Sequence, residues 1–251
     1  MSNYLYVDAS NLVIEGTRVS AVARGRARSI REAQEARVVD SSWRLDFWRL
    51  IEIAGGSRAS LAQALLFGSR PPSNGPLAEP AAAEAYWAAA ERAGFTVRTT
   101  PRNERNREKK VDASLSMALA ADSYTRIDQV RDEVTLAAGD ADYVPVVENL
   151  TGRGIRVYVL FWEHASRELK AAATVFKALN PFFAVLTLGS TRRSSVAPTS
   201  ALASRGRDAG LRTSLGEVAR FTGSLTGGNS TTQHTARNDN GTPTKKLTKA
   251  G

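Results

Sequence analysis

The stretch EVTLAAGDADYVP, residues 133–145, is typical of a buried strand that ends in acidic residues and then turns into a helix. Its short apolar run predicts a strand over residues 133–138. Asp140 and Asp142 follow that strand, as the chain turns into a helix with Tyr143, Val146, Val147 and Leu150 on one apolar face. Pro145 lies in the first turn of this helix, where its missing N–H is harmless. Open α/β sheets bind ligands at the carboxyl ends of their strands, so both aspartates are candidates for a functional site.

The beginning of the chain repeats this arrangement. Asp8 follows the apolar run 4–7, which predicts a second strand with a carboxylate at its end. If the two strands are parallel neighbours, Asp8, Asp140 and Asp142 converge on one edge of the sheet. Asn11 comes soon after Asp8, and its amide could orient a water or a phosphate or could equally cap the following turn.

The rest of residues 1–189 alternates short apolar runs with segments of helical period, which is the pattern of βα units around a mostly parallel sheet. We predict strands at residues 4–7, 61–67, 95–99, 133–138, 156–161 and 182–188. The predicted helices follow Ser41 and Ser42, span residues 79–93, begin at Asp112, follow Asp142, and continue from Ser166 through Phe176. The predicted fold class is therefore α/β.

The composition excludes several kinds of chemistry. The 251-residue chain contains no cysteine, which excludes a disulfide framework, a thiolate metal site and a cysteine nucleophile. No glycine-rich phosphate loop of the Walker or GxGxxG type is present, which argues against a nucleotide cofactor. The N-terminus lacks the features of a signal peptide, and no run approaches the roughly 18 apolar residues of a membrane span. We therefore expect a cytoplasmic protein without a membrane partner.

The C-terminal segment, residues 190–251, differs in composition from residues 1–189. It is rich in Ser, Thr, Gly and Arg and poor in large apolar side chains, so we expect a mostly disordered tail. Ten Lys/Arg against three Asp/Glu give this tail +7 of the formal net charge of +9. Such an excess attracts nucleic acid in a salt-dependent way, although a solvated tail with no binding role explains the composition equally well.

A fourth aspartate, Asp112, opens a predicted helix and could reach the same edge of the sheet. Each of these aspartates alone could be an ordinary helix cap. Together they favour a cation, because two carboxylates about 5 Å apart repel by about 3 kcal/mol at an effective dielectric of about 20. With no cysteine and only two histidines in the chain, oxygen ligands favour Mg²⁺ or Mn²⁺ over zinc. Such an ion can activate a water that hydrolyses a phosphodiester.

The order of five segments along the chain resembles the NYN domain, a branch of the PIN-like nucleases. These segments are YVDASN, FGSRPP, NREKKVD, AAGDADYVP and RVYVLFWEHAS, and they span about residues 4–188. The resemblance implies a PIN-like, Rossmann-like three-layer α/β/α sandwich, dependence on Mg²⁺ or Mn²⁺, and cleavage of RNA by an activated water. Residues 1–189 are accordingly expected to be the NYN nuclease domain, and residues 190–251 an appended basic tail.

The resemblance also implies which residues form the site, namely four metal-binding aspartates and a companion asparagine. They are Asp8, Asn11, Asp112, Asp140 and Asp142. Asp122 resembles a further acidic position, but a separation of ten residues leaves it about 80° from Asp112 around the helix axis. Thr174 stands where relatives often carry an aspartate, and we do not expect it to bind the metal. His164 is a weaker candidate, since a metal-activated water needs no catalytic histidine.

Basic residues near these positions are candidates for binding the phosphates of RNA. Arg70 lies in the stiff stretch GSRPP after a predicted strand, and Arg107, Lys109 and Lys110 precede the helix that Asp112 opens. Alternatively, GSRPP is a simple connection between elements, and the stretch that contains Arg107, Lys109 and Lys110 is a solvated loop. The arginine-rich stretch 15–40 has no clean apolar stripe and is interpreted as an arm, which could also contact a phosphate backbone.

The main functional hypothesis is a metal-dependent ribonuclease whose partner is RNA. The alternative is a non-catalytic RNA-binding or regulatory module that retains the fold. A metal phosphatase acting on small phosphoesters is a third hypothesis, disfavoured because the first motif reads Asp8-Ala-Ser rather than the strand-end Asp-x-Asp of such enzymes. A homo-oligomer is compatible with the sequence. Cleavage within the RNA and cleavage from its ends are both compatible with it as well.

Overall fold

The computed structural model describes residues 2–55, 60–70, 80–101 and 110–189. In these residues the strands are β1 (Ser2–Asp8), β2 (Leu61–Arg70), β3 (Thr96–Pro101), β4 (Asp132–Ala137), β5 (Arg156–Phe161) and β6 (Val175–Ala178). They form one sheet in the order β3-β2-β1-β4-β5-β6, and each pair of neighbours runs parallel. The α/β class with a parallel sheet is thus confirmed, while the predicted tail, residues 190–251, lies outside the described residues.

Helices cover both faces of this sheet. They are α1 (Ala9–Ala23), α2 (Ile30–Glu35), α3 (Phe47–Gly55), α4 (Pro80–Ala93), α5 (Val111–Thr125), α6 (Val144–Gly152), α7 (Arg167–Ala172) and α8 (Phe183–Leu186). Leu5 and Val7 of β1 lie in a core cluster with buried residues of α1, α3 and α4, whereas Tyr6 lies in a second cluster with buried residues of α5, α6 and α7. This alternation is that of a strand buried on both faces, and it confirms three layers.

Helix α5 runs antiparallel to β1, and two tyrosines of the strand establish this. The Tyr4 hydroxyl donates to the Arg126 carbonyl at 3.1 Å, and the Tyr6 hydroxyl donates to Asp122 Oδ2 at 2.7 Å. Moving forward along β1 therefore means moving backward along α5. The beginning of α5, where Asp112 lies, is for this reason directed toward the carboxyl end of β1.

The C-terminal part of the fold differs from the prediction. Residues 182–188 were expected to form a strand, but they end a 3₁₀ turn and form α8. The helix expected to continue through Phe176 ends at Ala172, and β6 follows it. The reason is pairing with β5, since Thr174 donates its N–H to the Val157 carbonyl at 2.9 Å and accepts from the Val157 N–H through Oγ1 at 3.0 Å.

Helix α3 begins later than predicted. Ser41 and Ser42 were the expected caps, yet it is Asp46 whose Oδ1 accepts from the backbone N–H groups of Trp48 and Arg49, at 3.0 and 3.2 Å. An aspartate satisfies the first N–H groups of a helix as well as a serine does, so the sequence allowed either start. Ser42 instead hydrogen-bonds to Asp40.

The arginine-rich stretch 15–40 does not extend as an arm, because residues 15–23 belong to α1 and the residues after them fold back against that helix. Its anchor is Asp40, which is fully buried and accepts from the Ser20 hydroxyl at 2.6 Å and from the Ser42 hydroxyl at 2.6 Å. Arg24 Nε and Arg26 Nη1 lie 3.1 and 3.2 Å from the same carboxylate. A single buried anion thus holds the turn after α1 against the helix.

Replacing this anchor, Asp40→Ala, is expected to lower the free energy of unfolding at neutral pH by about 1–3 kcal/mol, because the buried Ser20 hydroxyl loses its acceptor. Hydrogen bonds from Ser20 and Ser42 lower the pKa of Asp40 from 3.8 to about 2. The stabilisation by Asp40 is therefore complete above 3.8, its pKa in the unfolded chain, and is lost as the pH falls toward its pKa of about 2 in the folded protein. Urea unfolding at several pH values should show that the free energies of unfolding of the wild type and Asp40→Ala become more similar as the pH falls. A difference that does not change with pH would contradict the stabilising role of the ionised Asp40.

Candidate active site

Asp8 is the buried member of the predicted site. It ends β1, is the N-cap of α1 and is only 5% exposed. Oδ1 accepts from the Asn11 backbone N–H at 2.9 Å, and Oδ2 accepts from the Tyr143 hydroxyl at 2.7 Å. The start of α1 stabilises the negative charge, because the helix dipole presents its positive end there. The result is an oriented carboxylate at the carboxyl end of the central strand.

Asp140 and Asp142 follow the neighbouring strand. Val7 of β1 is in register with Ala137 of β4, so the segment after β4 leaves the sheet at the same edge as Asp8. Asp140 caps a 3₁₀ turn, and its Oδ1 accepts from the Asp142 backbone N–H at 3.3 Å. Both aspartates are exposed. The adjacency of β1 and β4, on which the predicted convergence depended, is therefore present.

Asp112 is the second residue of α5 and is also exposed. Lys110, directly before the helix, has a φ of 76°, which is the left-handed region that non-glycine residues seldom adopt. Such backbone strain is more common at functional sites than elsewhere. The exposed Lys110 side chain and the Asp112 carboxylate are thus both carried by the end of α5 that faces the carboxyl edge of the sheet.

Tyr143 is hydrogen-bonded to Asp8 and feels the charge of two further aspartates. Burial raises the pKa of its hydroxyl far above the ordinary value of 10.0, and the negative charges of Asp8, Asp112 and Asp140 raise it further. Three carboxylates from three separate segments therefore act on one buried hydroxyl. We refer to Asp8, Asp112, Asp140 and Asp142 as the acidic edge. The sequence interpretation placed Tyr143 on the apolar face of a helix and missed its hydroxyl, for which the tyrosine next to Asp142 was the available signal.

Asn11 holds the loop after β4. Its Oδ1 accepts from the Gly139 N–H at 2.8 Å, while the Gly139 carbonyl accepts from the Ser166 N–H at 2.9 Å. A Cβ on Gly139 would lie 2.1 Å from Cε1 of the Phe161 ring, so only glycine fits this position. Asn11 therefore positions the segment that carries Asp140, in addition to lying beside Asp8.

Two of the four predicted phosphate-binding residues, Arg70 and Lys110, are among the described residues. Arg70 ends β2, whose carboxyl end meets the same edge of the sheet as that of β1. Lys110 is exposed before α5, as stated above. Arg107 and Lys109 lie outside the described residues.

Three further candidates have partners other than the residues of the acidic edge. Asp122 is held by Tyr6 and also accepts from Gln63 Nε2 at 3.0 Å, which is a structural arrangement between α5 and the sheet. His164 Nε2 lies 2.7 Å from Glu15 Oε2 on α1. Thr174 pairs with the beginning of β5, at the opposite end of the strand from its ligand-binding edge. That position agrees with the expectation that Thr174 does not bind a metal.

The carboxylate oxygens of the acidic edge are the kind of ligand that a hard divalent cation prefers. Within the described part of the chain, no three His, Asp or Glu side chains are grouped closely enough to enclose a metal ion. Mg²⁺ does not require such a group, because it usually keeps several waters and is bound through one or two carboxylates together with substrate phosphates. Asp8 meets this requirement as the oriented carboxylate, and the negative charges of Asp112 and Asp140 also raise the pKa of the Tyr143 hydroxyl that holds it.

The sequence matches the model of a known protein family. The model of a protein family described as the NYN domain matches residues 4–180, which include every member of the acidic edge. No curated protein matches the chain. Among the described residues, no helix is both long and apolar enough to cross a membrane.

Proposed function

The chain belongs to the NYN domain family, whose members are generally nucleases, and from that premise we propose that it is a metal-dependent ribonuclease. It would hydrolyse RNA phosphodiester bonds with a water activated by Mg²⁺ or Mn²⁺. The observation that supports this most is the hydrogen bond from the Tyr143 hydroxyl to Asp8, which joins the end of β1 to the segment that carries Asp140 and Asp142. Carboxylates from distant segments repel one another, and a cation among them relieves that repulsion.

The roles of the acidic edge follow from burial. Asp8 would be the fixed metal ligand, since it is buried and both of its oxygens accept hydrogen bonds from the protein. Asp140, Asp112 and Asp142 are exposed, so they can complete the site or accept the proton that the attacking water loses. The bound ion would polarise a phosphoryl oxygen and lower the pKa of a water. No protein nucleophile is then required.

Basic residues would hold the substrate. Lys110, exposed at the start of α5, and Arg70, at the end of β2, both belong to the ligand-binding edge of the sheet. Arg107 and Lys109 are proposed for the same role from their positions in the sequence. Their charges would bind consecutive phosphates of the RNA backbone, and this contribution should weaken as salt is added.

A cleavage assay tests the proposal. The full-length protein is incubated with end-labelled single-stranded and hairpin RNA, in Mn²⁺ and in a chelator, and the products are separated on a sequencing gel. We expect products in Mn²⁺ and none in chelator. Labelling each end in turn distinguishes internal from terminal cleavage.

The separation of the acidic side chains favours a second candidate, an RNA-binding or regulatory module that no longer cleaves. A site that never encloses a cation would leave a surface for RNA without chemistry. RNA binding that persists in chelator, together with intact RNA after incubation in Mn²⁺, would support this module and reject the nuclease.

A further inference from the structure

Two buried tyrosines donate to carboxylates in the same way, but only one of them reaches the acidic edge. Tyr143 donates to Asp8 Oδ2 and Tyr6 donates to Asp122 Oδ2, both at 2.7 Å. The two tyrosines are 1% and 0% exposed. The two tyrosines are thus matched in chemistry, hydrogen-bond distance and burial, and they differ in the carboxylate that they hold, since Asp8 is buried and Asp122 is partly buried.

The position of the Tyr143 hydroxyl is fixed by its surroundings. The ring is part of the core cluster that includes Leu115 of α5 and Val147 of α6. Its backbone belongs to the 3₁₀ turn that Asp140 caps. Because a close-packed ring has little freedom to move, the hydroxyl is a fixed donor rather than one that follows the carboxylate.

The hydrogen bonds on Asp8 come from two sides. Oδ1 is held by the backbone of α1 through Asn11, and Oδ2 is held by Tyr143, which comes from the segment after β4. Together they define the plane of the carboxylate.

We propose that Tyr143 is a positioning residue of the metal site, whose hydroxyl holds the Asp8 carboxylate in the orientation that receives a divalent cation. This inference rests on the proposed function, in which Asp8 is a metal ligand. Groups that hydrogen-bond to a metal ligand generally affect metal affinity by about 10- to 100-fold. Tyr143 also joins β1 to the loop of Asp140, so one hydroxyl keeps carboxylates of two segments in a common arrangement.

The test compares Tyr143→Phe with Tyr6→Phe in the full-length protein. Each variant removes one hydroxyl and leaves the ring. Mn²⁺ affinity is measured from the electron paramagnetic resonance signal of unbound Mn²⁺, and the Mn²⁺ dependence of RNA cleavage is measured separately. Urea unfolding without metal gives the stability of both variants. We expect Tyr143→Phe to weaken Mn²⁺ binding by about 10- to 100-fold and to shift the Mn²⁺ requirement of cleavage by a similar factor. In Tyr6→Phe, Mn²⁺ affinity and the Mn²⁺ requirement of cleavage should stay within about twofold of wild type. Its free energy of unfolding should fall by about as much as that of Tyr143→Phe.

The outcomes separate the inference from its premise. If the wild type binds Mn²⁺ and cleaves RNA while Tyr143→Phe binds Mn²⁺ as tightly as the wild type, the positioning role is wrong and the nuclease stands. Equal weakening in both variants would also overturn the positioning role, because it would show a general effect of destabilisation. A wild-type protein that binds no Mn²⁺ would reject the proposed function and this inference with it.

Discussion

Asp8→Asn is expected to reduce Mn²⁺-dependent RNA cleavage by about 1,000-fold or more, equivalent to about 4 kcal/mol of transition-state stabilisation. The amide has the shape of the carboxylate but no charge, so it is a poor ligand for a hard cation. The fold should survive. The amide oxygen can still accept from the Asn11 N–H, and the amide NH₂ can donate to the Tyr143 hydroxyl oxygen. Initial rates of cleavage under Mn²⁺ saturation, with urea unfolding of the same sample, measure both effects.

The matched control is Asp122→Asn. Asp122, like Asp8, accepts from a tyrosine hydroxyl, but it is only partly buried and lies toward the C-terminal end of α5, far along the helix from Asp112. Its replacement should leave the cleavage rate within a few-fold of wild type. Full activity of Asp8→Asn, or equal losses in the two variants, would show that the acidic edge is not where RNA is cleaved.

Gly139→Ala is expected to have the second largest effect, on stability and on activity together. The added Cβ would meet the Phe161 ring at 2.1 Å, and that ring is 1% exposed and cannot turn away. Overpacking of this kind costs about 1–3 kcal/mol in unfolding free energy. Cleavage should fall beyond what this loss explains, because Gly139 is held by Asn11 and precedes Asp140. Urea unfolding and Mn²⁺-dependent cleavage rates measure the two effects.

A second substitution shows whether the clash is the cause. Phe161→Leu removes the ring, so the double variant Gly139→Ala/Phe161→Leu should be more stable than the sum of the single changes implies. Gly152→Ala serves as the control, since nothing lies within 4 Å of its added Cβ and alanine favours a helix. Additive losses in the double variant would contradict the steric explanation.

The central strands could be predicted because they are buried on both faces. A parallel strand between two helical layers is a nearly continuous apolar run, and such runs predicted β1, β4 and β5 to within one or two residues. The aspartates at their ends follow from the same runs. The edge strand β6 could not be found in this way, because Val175 and Phe176 are only partly buried and follow a helical pattern without interruption.

The contacts inside the candidate site could not be predicted, because they depend on which strands are neighbours. Asn11 reaches Gly139, and Tyr143 reaches Asp8, only when β1 lies beside β4. These partners are more than one hundred residues apart in the chain. Hydrophobic periodicity predicted that the Tyr143 ring is buried, which is correct. It carries no information about the partner of the hydroxyl.

The most direct measurement is an anomalous difference map from crystals of the full-length protein soaked in Mn²⁺. A manganese peak beside the Asp8 carboxylate, within coordination distance of at least one other aspartate of the acidic edge, is the predicted result. Crystals of protein that cleaves RNA in Mn²⁺, yet that bind the ion elsewhere or show no peak at the acidic edge, would contradict the account.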